Sequence, residues 1–156
     1  MEIKDEIDNL LSRLAAVPER LARVVKGWSD AELHQAHAKD EWSVVEILAH
    51  VRASDDILAY RAYVILAREN PPMAAYDDRI WAEVARYAQT DFHTSLTVFT
   101  LRRAELVDML RHIALDDWKR VGIHEMHGPL SLLNVITTLV EHEEEHCAQL
   151  EALLVR

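Results

Sequence analysis

Three histidines are the residues of this chain with the clearest capacity for chemistry. His142 and His146 stand four positions apart near the C-terminal end, and His50 stands in the first third of the chain. At about 100° per residue, two helical residues four apart lie on one face. Neutral imidazole nitrogens are suitable ligands for Zn²⁺ or Ni²⁺. The pattern therefore predicts a site for one divalent ion at His50, His142 and His146. The alternative is that these histidines form hydrogen bonds in an apolar core.

Two further residues are candidates for a catalytic role at this site. Glu143 directly follows His142, so it could act as a general base on a metal-bound water; the alternative is a carboxylate at the bundle edge. Arg103 falls within an apolar helix stripe, where a buried guanidinium needs a partner such as Asp55 or Glu143. Its functional interpretation is a clamp for a carboxylate or thiolate substrate. The alternative is a side chain that reaches the surface.

The segment from His142 to His146, H-E-E-E-H, also matches the H-E-x-x-H pattern of zinc metalloproteases. The metzincin form needs a further histidine after this motif, and none follows His146. The chain is also short for a protease with a substrate cleft. We therefore rank a protease below a metal site within a helical bundle.

Four amphipathic segments must position these residues. Apolar residues recur in them at every third or fourth position, which predicts four long helices. The predicted helices cover about residues 2–26, Ser43 to the residues before Pro71, Asp91–Ile113, and Ser131 onward. Pro18 predicts a kink or a restart in the first helix. The connection after the second helix is expected to hold a short helix around Arg79–Tyr87.

These helices predict an all-α fold without a sheet, a single domain over residues 1–156 built as a four-helix bundle. His146 is expected within the apolar stripe of the last helix and His142 on its shoulder. At 1.5 Å per residue, His50 lies about 10 Å from the start of its helix and His146 about 12 Å from the end of its own. The histidines meet if these helices run antiparallel. The expected order is therefore up-down-down-up, with residues 70–90 as a crossover.

The composition argues against several classes of function. The net charge is −10, from 27 acidic and 17 basic residues, so nucleic acids and anionic membranes would repel the chain. The first residues lack the basic start of a signal peptide, and no apolar run approaches the ~20 residues of a membrane-spanning helix. A single cysteine, Cys147, excludes an internal disulfide and is expected to pack in the core. We therefore expect a cytoplasmic protein that binds neither nucleic acid nor membrane.

The remaining histidines are expected to be exposed to solvent. His124 and His127 lie beside Gly128 in the loop before the last helix, so they are interpreted as solvated loop residues. The alternative is that one of them takes part in the metal site. Four others lie near predicted helix ends or in polar segments and receive the same interpretation: His34, His37, His93 and His112.

Two segments resemble the DinB-like bundle superfamily, which includes the YfiT-type metalloenzymes. The segment WSVVEILAH, Trp42 to His50, resembles the start of that family's second helix. The segment from Gly128 through His142 and His146 resembles its last helix. The resemblance covers nearly the whole chain, with the first and third helices matching only in pattern. It implies a four-helix bundle, a three-histidine metal site and often a homodimer, and some relatives transfer low-molecular-weight thiols or isomerise thiol adducts.

The sequence therefore predicts a divalent-metal-dependent enzyme that acts on a small molecule, as a hydrolase or as a low-molecular-weight-thiol transferase. Three imidazoles leave coordination positions open, which is typical of a catalytic metal. Two alternatives remain open. One is a bundle protein that binds a metal or a small ligand without turnover, and the other is a structural dimer whose histidines bind nothing.

Overall fold

The computed structural model describes residues 3–155, and most of them are helical. The helices are α1 (Ile3–Val24), α2 (Asp30–His34), α3 (Val44–Ala67), α4 (Asp78–Val84), α5 (Phe92–His112) and α6 (Leu132–Glu151). The strands are β1 (Pro72–Met73), β2 (Val121–His124) and β3 (Gly128–Ser131). Short 3-10 turns cover Tyr87–Gln89, Leu115–Lys119 and Ala152–Val155. The four long helices α1, α3, α5 and α6 form the predicted bundle, and the predicted start at residue 2 lies outside the described residues.

Two ion pairs show how α1 runs relative to α6. Arg13 pairs with Glu144, and Arg20 pairs with Glu151 at 3.0 Å. Each pair is bidentate, with a second nitrogen of the same guanidinium bonding the second carboxylate oxygen. A step of seven residues along α1 therefore matches a step of seven residues along α6 in the same direction, so the first and last helices are parallel.

The two middle helices are also parallel to each other. Arg52 of α3 donates to Ser95 Oγ of α5 at 3.3 Å, and further along both helices Asp56 pairs with Arg102 at 2.7 Å. The N-terminal part of α3, in contrast, meets the C-terminal half of α6, so these two helices are antiparallel. The predicted up-down-down-up order is confirmed, and the segment between α3 and α5 is the crossover that this order requires.

The bundle core consists of two apolar clusters separated by a layer of polar residues. One cluster contains the first half of α1 and the second half of α3, and the other contains the second half of α1 and the first half of α3. Asp55, Arg103 and Glu143 lie between the clusters and are buried. Within the described part of the chain, no helix is long and apolar enough to cross a membrane.

The expectation of a fold without a sheet is wrong. The strands form a three-stranded sheet in the order β1-β2-β3, with β1 parallel to β2 and β2 antiparallel to β3. β2 and β3 form a hairpin, and Gly128 begins β3 with a φ of +70°, which glycine adopts without a steric penalty. Strands of two to four residues are too short to show the alternation that indicates a strand in a sequence. This small sheet closes one end of the bundle.

Three local features differ from or refine the predicted elements. α1 continues through Pro18 without a restart, and the ring is buried. Burial of the ring offsets part of the cost of the backbone hydrogen bond that proline removes. The helix predicted at Arg79–Tyr87 is observed as α4 and a following 3-10 turn. The helix α2 was not predicted, although Ser29 and Glu32 form a capping box at its start, because five residues are too few to show an apolar stripe.

Gly122 of β2 allows the sheet to approach the end of α3. A β-carbon built on it would lie 2.9 Å from Met73 Sδ and 3.0 Å from Ile65 Cγ1. We expect Gly122→Ala to lower the free energy of unfolding by about 1–3 kcal/mol, because the added methyl group overpacks this junction. Chemical denaturation measures the change, with Ile123→Ala as the control because that side chain is 40% exposed. An unchanged midpoint for Gly122→Ala would contradict the packing argument.

Candidate metal centre

His50 is the most deeply buried of the three predicted ligands. The helix that carries it begins at Ser43, whose hydroxyl accepts the backbone N–H of Glu46, while the Glu46 carboxylate accepts the backbone N–H of Ser43. This capping box sets the helical phase from the first turn. Two turns later His50 points towards α6 and is only 4% exposed. The ring of Trp42 lies 4.8 Å from the His50 ring, centroid to centroid, and covers it.

His142 and His146 lie at the edge of the buried face of α6, and both are half-buried. The expectation that His146 lies within the apolar stripe is wrong, because the buried positions at this level of the helix are Glu143 and Cys147. The three-histidine site therefore lies in the groove between α3 and α6 and not in the bundle core. Cys147 packs in the core as predicted, and burial raises the pKa of its thiol to about 11.

The three imidazoles converge on one point in this groove. One ring nitrogen from each of His50, His142 and His146 can be chosen so that all three lie within 4.8 Å of one another. The Nε2 atoms of His50 and His142 are 2.9 Å apart, and the three ring centroids are 4.7 to 4.9 Å apart. Imidazole nitrogens bind Zn²⁺ at about 2.0–2.1 Å, so a cluster of this size fits a single ion.

Polar groups lie beside the Nδ1 atoms of two of the rings. His146 Nδ1 lies 2.9 Å from Gln149 Oε1, and His50 Nδ1 faces Asp78 Oδ1 at 3.6 Å. Such partners on Nδ1 leave Nε2 for an ion, an arrangement common around bound metals. His142 Nδ1 is buried and has no hydrogen-bond partner among the described residues. A buried nitrogen without a partner is costly. The three imidazoles together are a set of donors that fits a divalent cation.

The two residues beside these rings, Gln149 and Asp78, were not predicted from the sequence. Gln149 stands three positions after His146 on α6, so helical spacing could have identified it. Asp78 begins α4 in the crossover, and no local pattern relates it to His50. The tertiary fold alone brings that carboxylate to the histidines.

The two more buried histidines are held neutral by their surroundings. Burial lowers the pKa of His50 to about 4, and the neighbouring His142 and His146 add to this effect. Burial likewise lowers the pKa of His142 to about 4, with a further contribution from His146. The neutral ring is the form with a free lone pair for a metal ion.

Arg103 lies in a separate buried cluster. It donates to Asp55 at 2.8 Å, to both oxygens of Glu143 at 2.5 and 2.7 Å, and to the Leu14 backbone carbonyl at 2.9 Å. Its guanidinium also lies over the Phe99 ring, 4.8 Å from the centroid. The predicted pairing with Asp55 or Glu143 is confirmed, and both carboxylates take part. The side chain is only 2% exposed, so the alternative in which it reaches the surface is wrong.

This geometry does not support the predicted catalytic roles of Glu143 and Arg103. Glu143 is fully buried, and both of its oxygens accept hydrogen bonds from Arg103. Burial raises the pKa of Glu143 to about 7, while the Arg103 guanidinium opposes that rise. A general base must reach the proton that it removes, and an anion clamp must reach its substrate. The arginine contacts the other three long helices, so this cluster joins all four.

The expectation of a solvated His124 is also wrong. Its side chain is buried at 6% exposure, and its Nε2 lies 3.1 Å from Arg61 Nη2. His127 is exposed as predicted, and its ring stacks on that of His124 with centroids 4.7 Å apart. Four other histidines are exposed as predicted: His34, His37, His93 and His112.

Comparison with known proteins agrees with this fold. The chain is 24% identical over 151 residues to "Putative metal-dependent hydrolase YfiT" of Bacillus subtilis, covering 96% of this chain and 85% of that protein. It is 21% identical over 150 residues to "Putative metal-dependent hydrolase OB0413" of Oceanobacillus iheyensis, covering 96% and 86%. The solved structure of YfiT, described as having an unusual four-helix bundle topology, superposes with a TM-score of 0.89 at 24% identity, covering 96% of this chain and 86% of that one.

A protein-family comparison extends the agreement to most of the sequence. The family model described as the DinB superfamily matches residues 13–150. This range includes the second half of α1, all of α3 and α5, α6 up to Leu150, and the three clustered histidines. The chain therefore belongs to the DinB superfamily.

Proposed function

We propose that this protein is a divalent-metal-dependent hydrolase of a small molecule, with the metal bound by His50, His142 and His146. The observation that carries the proposal is the convergence of three imidazole nitrogens within 4.8 Å. The names of the relatives, as metal-dependent hydrolases, support the same class. A bound divalent ion acts as a Lewis acid, which activates a water molecule or a thiol and polarises the group to be attacked.

The three imidazole donors favour particular metals. Imidazole suits Zn²⁺ and Ni²⁺, whereas Mg²⁺ and Ca²⁺ prefer oxygen ligands. We therefore propose Zn²⁺ or Ni²⁺.

The cysteine content bears on the compartment. The one cysteine of the sequence forms no internal disulfide, and proteins without disulfides are typical of the reducing cytoplasm. We therefore propose the cytoplasm as the compartment.

Asp78 is the carboxylate best placed to accept a proton at this site. Its Oδ1 lies 3.6 Å from His50 Nδ1, and its side chain is 49% exposed, so it borders both the histidines and solvent. Burial raises the pKa of this carboxyl, as does the neighbouring Asp77, while His146 lowers it. A carboxylate with a raised pKa is a better base near neutral pH. We assign Asp78 the role that the sequence suggested for Glu143.

Metal content and activity test this proposal together. Protein purified without a histidine tag is analysed for metals, stripped with a chelator and reloaded with Zn²⁺ or Ni²⁺. It is then assayed on a panel of esters and amides, and on a thiol with an electrophile. We expect about one equivalent of metal and metal-dependent hydrolysis. Absence of bound metal, or turnover only in the thiol reaction, would overturn the hydrolase proposal, and the second result would favour the transferase alternative.

Substitution of the proposed base is tested at saturating metal, so that a change in metal affinity does not enter kcat. Under these conditions Asp78→Asn should lower kcat at least tenfold, because general-base catalysis contributes roughly 10²–10⁴-fold. Asp77→Asn is the matched control. Asp77 accepts the backbone N–H groups that begin α4, and asparagine caps helices equally well. Equal kcat values for the two variants would remove Asp78 from the mechanism.

A further inference from the structure

A cavity of about 490 Å³ lies beside His124, between α3 and α6, the two helices that carry the three histidines. Its walls include Leu58 of α3 and Thr138 of α6. Leu58 lies eight residues after His50, and Thr138 lies four residues before His142, which correspond to about 12 and 6 Å along the helices. The cavity therefore begins about 6–12 Å from the histidines, a distance that a small organic molecule can span.

Arg61 brings a positive charge to this cavity without a carboxylate partner. Among residues 3–155, no Asp or Glu oxygen lies within salt-bridge distance of its guanidinium. Its Nη2 donates to the Ala74 backbone carbonyl at 2.6 Å and faces His124 Nε2 at 3.1 Å. The side chain is half-buried, and a partly buried cation without a counter-charge is costly. This is unexpected in a chain with a net charge of −10.

His124 shows that the cavity is short of hydrogen-bond acceptors. The backbone N–H of Met126 donates to His124 Nδ1 at 3.1 Å, while Arg61 Nη2 faces Nε2. A neutral imidazole has one acceptor nitrogen, so two donors converge on a ring that can satisfy only one of them. The nearby Glu125 carboxylate accepts the backbone N–H of Ala75. An anion in the cavity would supply the missing acceptors.

We propose that this cavity binds the carboxylate or phosphate group of the small molecule on which the metal centre acts, with Arg61 as the principal ligand and His124 and His127 beside it. The link to the metal centre rests on the proposed function, whereas binding of the anion requires only these residues. Apolar walls at Leu58 and Val135 suit a hydrocarbon portion between the anionic group and the reacting group. The substrate class is therefore an amphipathic organic anion.

Calorimetric titration of metal-free protein tests this proposal with two probes, hexanoate and inorganic phosphate. We expect saturable binding of at least one probe, and a loss of affinity on the order of tenfold or more in Arg61→Met, because hydrogen bonds to charged groups are among the strongest. Arg61→Lys should be intermediate, since it keeps the charge but not the planar fork. Arg111→Met is the control. Arg111 is an exposed residue of α5 beside a different cavity, so this substitution removes the same charge away from the proposed site.

The outcomes separate the anion site from the metal site. Saturable binding of hexanoate assigns a carboxylate, and binding of phosphate alone assigns a phosphate. If Arg61→Met alters the thermal melt, Arg61→Lys and His127→Ala carry the test, and both should weaken binding while the fold is kept. Equal affinity in wild type and Arg61→Lys, or no saturable binding of either probe, would overturn the proposal. Saturable anion binding by protein that shows no hydrolase activity would support the anion site and contradict only the proposed function.

Discussion

Replacing His146 with alanine is expected to lower the affinity for Zn²⁺ or Ni²⁺ by about 100-fold or more, because loss of orienting groups alone costs about 10–100-fold. His146 is one of three converging imidazoles, and Gln149 already orients its ring. The bundle should remain folded, because the apolar clusters of the four helices form without this half-buried side chain. Titration against a competing chelator measures the affinity, and a thermal melt of the same samples measures the fold.

His112→Ala is the matched control for this experiment. His112 lies on α5, and its side chain is 75% exposed, so its removal should leave the metal affinity unchanged. Wild-type affinity in His146→Ala would refute the three-histidine site. Unfolding of the metal-free wild-type protein at room temperature would instead make the metal structural, since a structural ion contributes its binding energy to folding.

Replacing Arg103 with methionine is expected to lower the free energy of unfolding by about 3–5 kcal/mol, the usual cost of removing one partner from a buried ion pair. The substitution leaves the carboxylates of Asp55 and Glu143 buried without their cation, and it removes a donor from the Leu14 carbonyl. For a domain of this size the melting temperature should fall by on the order of 10 °C. Calorimetry or denaturant titration measures both quantities.

The neighbouring arginine provides the control for Arg103→Met. Arg102 pairs with Asp56 at 2.7 Å, but the two side chains are 51% and 41% exposed. Surface ion pairs contribute about 0–1 kcal/mol, so Arg102→Met should change the stability little. A loss of less than 1 kcal/mol in Arg103→Met would show that the polar layer is dispensable for the bundle. A selective loss of metal affinity in a fully stable Arg103→Met would instead return this residue to the metal centre.

Positions 142 and 143 show how one helix serves two purposes. Consecutive helical residues point about 100° apart, so α6 directs His142 into the groove and Glu143 into the core. The histidine faces His50 across the groove, and the glutamate joins Arg103 in the polar layer. Substitutions in the groove and in the polar layer should therefore have separate effects. His146→Ala tests the effect on metal affinity, and Arg103→Met tests the effect on stability.

The sequence by itself determined the four long helices, their up-down-down-up order and the meeting of the three histidines. These features depend on helical periodicity, capping residues and the rise per residue, all of which are local or nearly local. Ser43 with Glu46 marks the start of α3 because a capping box needs only four consecutive residues. The partner of Arg103 was also predictable, because a buried guanidinium requires a carboxylate.

Only the tertiary structure decided which polar residues face the groove and which face the core. The rotation of α6 about its axis depends on how all four helices pack, so it buried Glu143 and moved His146 to the edge of the stripe. The approach of Asp78 to His50 and of Arg61 to His124 depends on the path of the crossover and on the small sheet. Those contacts join residues far apart in the chain, and no short-range pattern in the sequence encodes them.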